Sequence, residues 1–229
     1  MDTDRNEHQI IRKDARACFV ETLNDSFEFG KVHFCFASYD MKLPAGQRQT
    51  NSVHIYIAVD EFLNLCMKMA SGELRYMMQQ HKKDGSNEPL YKCLGGTSAE
   101  KLKKIGRARP DGISLSRTAE IVCGKNGNLL FVASSGPGET NKTGLIVPRF
   151  GNKPENHVSV SLTWDNFAGL MLVTKAHYEA WLAAKYAREA KENKQAAKPK
   201  LERVPQPVPV SRPEPEYSVE PEYGAVAMF

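Results

Sequence analysis

Lys31-Val32-His33-Phe34-Cys35-Phe36-Ala37-Ser38-Tyr39 and, after a polar connection, Val53-His54-Ile55-Tyr56-Ile57-Ala58-Val59 decide how this chain folds. In the first stretch Val32, Phe34 and Phe36 fall on one face, and Lys31, His33 and Cys35 on the other. In the second, Val53, Ile55, Ile57 and Val59 alternate with His54, Tyr56 and Ala58. A period of two with one apolar face reads as a half-buried antiparallel strand. Phe27 and Phe29 carry the opposite parity, so a bulge at Gly30 is expected to join both halves in one long bent strand.

Outward from these strands the pattern changes period. Asp60 is expected to cap a helix running to about Gln80, with Phe62, Leu65, Cys66 and Met69 on one side. Residues 6–23 carry Ile10, Ile11, Ala15, Cys18 and Phe19 at a weak helical spacing, which suggests a short amphipathic helix in an N-terminal extension over 1–24. Strands are expected near Leu90–Leu94, Ile113–Cys123, Asn128–Ser134, Leu145–Phe150 and His157–Trp164, with a helical turn at Ala99–Ile105. Asn126-Gly127 marks a tight hairpin. Asp165 or Asn166 should cap a last helix to about Lys191. The fold class is therefore α+β, a curved antiparallel β-sheet with two main helices over residues 25–190.

Composition bounds the function. At 41% hydrophobic and 25% charged residues, the 229-residue chain can bury one good core. No run approaches the roughly 18 apolar residues of a membrane span, and the start is no signal peptide, so a cytoplasmic location is expected. The five cysteines are odd in number and contain no Cys-x-x-Cys pair, which favours reduced thiols over a disulfide frame or a zinc site. The histidines show no metal-ligand spacing and no nucleophile elbow is present, so no metal, no cofactor and no enzyme activity are expected.

The C-terminal stretch, residues 191–229, reads differently. Seven of the 13 prolines lie between Pro199 and Pro221, a density that blocks helices and sheet ladders. Past Arg212 there are no basic residues; Glu214, Glu216, Glu220 and Glu222 are interleaved with Tyr217 and Tyr223, and the chain ends Val226-Ala227-Met228-Phe229. A disordered acidic tail is expected, with Glu220, Glu222, Tyr223, Met228 and Phe229 as a lure for a basic, apolar pocket on a partner protein. A basic folded domain followed by such a tail resembles single-stranded-DNA-binding proteins of the bacterial, phage and mobile-element type, whose tails end in Phe. The rhythm of strands running into a helix is similar to the Whirly or transcriptional-coactivator type of single-stranded-DNA-binding fold; a barrel of the oligonucleotide-binding kind is the competing architecture.

Candidate contacts follow from the exposed face of the two early strands. Lys31, His33, Tyr39, His54 and Tyr56 would share it, and the connecting loop adds Lys42 and Arg48. Cations meet phosphates while flat rings stack unpaired bases, so this mixture suits a single strand. An ordinary solvated sheet face has the same composition and is the plain alternative. Lys101, Lys103, Lys104, Arg107 and Arg109 form a second basic segment that could track a backbone. The glycine-rich run Ser134–Thr140 lacks the Gly-Lys-Ser/Thr ending of a phosphate loop and reads as a hairpin or surface loop. The expected function is largely sequence-independent binding of single-stranded DNA, or RNA, by a homo-oligomer whose tail recruits replication, repair or transfer proteins. The alternative is a protein-interaction scaffold.

Overall fold

In the computed structural model, which describes residues 7–196, the first four strands form one antiparallel sheet in chain order. They are β1 (Gln9–Ala15), β2 (Cys18–Leu23), β3 (Lys31–Tyr39) and β4 (Gln49–Ala58). The helices α1 (Val59–Ala70) and α2 (Glu73–Asp84) follow. A second sheet holds β5 (Tyr91–Thr97), β6 (Ser114–Cys123), β7 (Leu129–Thr140), β8 (Ile146–Pro148) and β9 (Asn156–Leu162). The short helix α3 (Ala99–Lys104) interrupts it, and α4 (Trp164–Ala196) comes last. β8 and β9 share one edge of β7, pairing with residues 138–140 and 129–135 respectively. The fold is α+β, with antiparallel sheets of which one is strongly curled. The first sheet and β5–β8 of the second run as meanders, while β9 leaves that order to pair with β7. Among the described residues no helix is long and apolar enough to cross a membrane.

One core joins the inner faces of both sheets. Val32, Phe34, Phe36, Val53, Ile55 and Ile57 meet Phe131, Ala133, Val158 and Val160, and α1 and α4 add Phe62, Leu65, Phe167 and Leu170. Phe131 is its centre, with ring centroids 4.8 Å from Phe36 and 5.6 Å from Phe34 in edge-on geometry. Truncating so enclosed a ring to alanine would cost about 3–5 kcal/mol. All five cysteines are free. Burial pushes the Cys35 and Cys66 thiols up to about 12, which keeps them protonated and inert.

Several expectations need correction. The 1–24 segment is neither a helix nor an extension: β1 and β2 form a hairpin within the first sheet, turning at Arg16-Ala17 with Ala17 at φ 59. No bulge sits at Gly30. Phe27–Phe29 is instead a 3₁₀ turn, closed by Gly30 at φ 65. Phe27 turns in against Tyr178 and Trp181 on α4 while Phe29 is 80% exposed, which explains the reversed parity. The helix expected to run through Gln80 breaks at Gly72, whose φ of 83 is a left-handed conformation, so two helices replace one. Ala58, not Asp60, occupies the cap position of α1. Thr163 rather than Asp165 or Asn166 caps α4, its Oγ1 accepting the Asn166 amide. The Ser134–Thr140 run is not a loop but the second half of β7. The tail and its expected disorder, with Glu220, Glu222, Tyr223, Met228 and Phe229, lie outside the described residues.

Candidate nucleic-acid interface

The outward face of the first sheet is set by the register of β3 on β4. His33 lies opposite Tyr56, Cys35 opposite His54, and Tyr39 opposite Gln49 after an irregularity. On the other flank β2 brings Leu23, Glu21 and Phe19 opposite His33, Cys35 and Ala37, and β1 brings Arg12 opposite Glu21. From His33 to Tyr39 this face is roughly 20 Å long at about 3.3 Å per residue.

One end is a hydrogen-bonded chain of titratable groups. The His33 Nδ1–H donates to the Asp25 carboxylate, 2.9 Å from each oxygen. His33 Nε2 lies 2.9 Å from His54 Nδ1. A carboxylate only accepts, so neutral His33 accepts at Nε2 from the His54 Nδ1–H, and His54 Nε2 keeps its lone pair. Burial holds both imidazoles below the usual histidine range; for His54 the neighbouring His33 and Arg117 push the same way. The Tyr56 ring stacks on His33 at 4.3 Å and is 43% exposed, offering its other surface outward. Arg117 on β6 and Arg107 after α3 both act on the titration of His54 and Tyr56. Arg117 donates to the Thr97 hydroxyl at 2.8 Å and, among the described residues, pairs with no carboxylate.

The other end is a shallow cavity of about 340 Å³ lined by Arg12, Phe19, Tyr39, Met41, Arg48 and Gln49. Arg12 lies 3.6 Å over the Phe19 ring and also pairs with Asp14, and Phe19 sits 6.4 Å from Tyr39. Cations and flat rings therefore gather at this end of the face, an arrangement suited to holding phosphates and stacking bases, with Glu21 and buried Cys35 between it and Tyr56.

The expected contact residues divide. His54, Tyr56, Tyr39 and Arg48 come together on this face, with Lys31 half-buried at the β3 terminus and Lys42 exposed in the adjoining loop. His33 is 4% exposed, so it supports the face from beneath and cannot touch a ligand itself. Lys101, Lys103 and Lys104 are exposed on α3, anchored by buried Leu102. Arg109 is withdrawn from the basic set: it bridges Asp111 and Glu155 with contacts at 2.7 Å, pinning its loop. Sequence reasoning missed Arg12, Phe19, Asp25 and the placement of Arg117. Reading 9–23 as strands would have found Arg12 and Phe19, because Phe19, Glu21 and Leu23 alternate with Cys18, Val20 and Thr22. No local signal marks Asp25.

No protein-family model matches the chain, and no curated protein or solved structure matches it. Among the described residues no group of three or more His, Cys, Asp or Glu side chains could hold a metal ion.

Proposed function

We propose that this chain is a single-stranded-DNA-binding protein that holds the strand across the outward face of the first sheet, largely without regard to base sequence. The observation that carries this reading is the set of cations and rings on one face of the first sheet: Arg12, Phe19, Tyr39 and Arg48 around one shallow cavity, and exposed Tyr56 stacked on His33 at the other end. Phosphates would meet the guanidiniums and bases would stack on Phe19, Tyr39 and Tyr56, each stack contributing about 1–3 kcal/mol. Lys42 and the α3 lysines would extend the electrostatic track. On this reading the protein works by binding rather than catalysis, in the cytoplasm and as a homo-oligomer. Its acidic C-terminal stretch would recruit replication, repair or transfer proteins. An origin on a phage, plasmid or other mobile element suits such an accessory role.

Photo-crosslinking tests the face directly. A halogenated oligodeoxyuridine irradiated with the full chain should attach to Tyr56, Tyr39 or Phe19, as located by peptide mass spectrometry. Crosslinks confined to the α3 segment, or none, would reject this surface.

A further inference from the structure

We propose that the cavity between α2, the β6–β7 turn and the first residue of α4 is a binding site for a small anion with a flat body, of the nucleoside phosphate class. The cavity shares no residue with the sheet face and stands independently of DNA binding there.

Three stretches of chain build it. α2 carries Arg75, Met78 and Lys82 at positions i, i+3 and i+7, along one side of the helix, and adds His81. The helix ends at Gly85, whose φ of 63 is left-handed. There the Gly85 and Ser86 amides both donate to the His81 carbonyl, and Ser86 and Asn87 continue into the lining. The second stretch is the turn from Gly124 to Gly127. The Gly124 amide donates to the Asn128 carbonyl at 2.8 Å, and Asn126 and Gly127 both take positive φ. Trp164 opens α4 and, with Met78, supplies apolar lining half-buried against the core. The cavity measures about 870 Å³, within the range of about 300–1,000 Å³ usual for small-molecule sites.

Charge is the first reason for an anion. Arg75, Lys82 and Lys125 line the cavity, and among the described residues no carboxylate does. None of the three pairs with a carboxylate elsewhere among the described residues. Asp84, Glu88 and Asp165 adjoin the lining in sequence but are exposed and not part of it. Three unneutralised positive charges on one concave surface favour a multiply charged anion. His81 is the second reason for a ligand. Its Nδ1 is buried and has no hydrogen-bond partner, which costs free energy that a ligand relieves. Protonated, that nitrogen donates to a phosphate oxygen; unprotonated, it accepts from a ligand hydroxyl. The flat body follows from Trp164. The Arg75 guanidinium carbon lies 4.4 Å over its ring, so a cation and a flat apolar surface are held in one place. Gln79, Asn87 and Asn126 add amide donors and acceptors suited to sugar hydroxyls and base edges. Inorganic phosphate leaves the apolar lining unused, and a neutral aromatic leaves the three charges unused. A nucleoside phosphate uses both.

Calorimetric titration of the full chain with ATP, GTP, CTP and UTP, one at a time, tests the site. At least one should bind once per chain with Kd below about 1 mM, and its parent nucleoside and inorganic triphosphate should each bind at least about tenfold more weakly. Lys82→Gln and Lys125→Gln, both at exposed positions, should each weaken that binding several-fold and together by more than about tenfold. Lys142→Gln, at an exposed lysine outside the lining, should bind as wild type does. Displacement of the nucleotide by an oligothymidylate bearing a 5′-phosphate, but not by its 5′-hydroxyl counterpart, would assign the site to a strand end. Displacement by neither would assign it to a free nucleotide. No nucleotide binding below about 1 mM, inorganic triphosphate binding as tightly as the nucleotide, or wild-type affinity in the Lys82→Gln, Lys125→Gln double variant would each overturn the site. So would equal displacement by both oligothymidylates. Each of these failures leaves the sheet face standing, and absence of DNA binding on that face leaves the cavity standing.

Discussion

Tyr56 and His33 show how two neighbouring side chains on one face take opposite roles. Their rings stack, yet one is exposed and the other enclosed. Tyr56→Ala should weaken single-stranded-DNA binding by about 1–3 kcal/mol with the salt slope unchanged, since stacking releases no counter-ions, and Tyr56→Phe should restore it. Titrations over salt would show this; an altered slope with unaltered affinity would contradict it. His33 affects stability instead. Burial lowers its pKa in the folded state, so the unfolded chain binds more protons once the pH falls to the ordinary histidine value of 6.5. Its contribution is complete above that value and lost as the pH falls below it. His54 acts with the same sign. The unfolding midpoint should therefore drop between pH about 7 and about 5, and His33→Gln should flatten that drop. An identical acid slope in the variant would show that His33 is not held neutral by the fold.

At the level of elements, glycines decide how closely β6 and β8 approach β5 and β7. A Cβ on Gly138 would lie 2.7 Å from Ser116 Cβ and 2.8 Å from Ile146 Cγ2, and one on Gly96 would meet the Leu115 carbonyl oxygen and Ile146. Gly95 has open space around it. Chemical denaturation should show Gly138→Ala destabilised by about 1–3 kcal/mol, and Gly95→Ala by much less. Equal losses would mean the close packing is not what these glycines serve. The same strands show what could be read in advance. β3, β4 and β9 were legible because uninterrupted alternation fixes both strand and buried face. The β1–β2 hairpin was not, since Ile10, Ile11, Ala15, Cys18 and Phe19 imitate a helical spacing and its turn at Arg16-Ala17 contains no glycine, asparagine or proline. Gly136-Pro137-Gly138 imitated a loop because its residues were chosen by close neighbours, Phe150 and Ile146, that sequence proximity does not reveal. Of the site, the cations and aromatics of β3 and β4 were legible. Arg117 and Asp25 were not, because their roles depend on one element meeting another.

For the whole molecule, the described core and the C-terminal stretch carry separable predictions. Removing residues 213–229 takes away four glutamates and no basic residue. DNA affinity should hold or rise modestly, while capture of partner proteins is lost, and Phe229→Ala alone should reproduce most of that loss. A pull-down recovering the same proteins with and without Phe229 would remove the C-terminal lure. The central claim is that the outward sheet face holds a single strand. Filter binding of labelled single-stranded and duplex DNA of equal length, across a range of salt, tests it most directly. The account predicts preference for the single strand, with log affinity falling linearly in log salt by about 0.7 per phosphate neutralised. Equal affinity for duplex, or no binding at low salt, would contradict it.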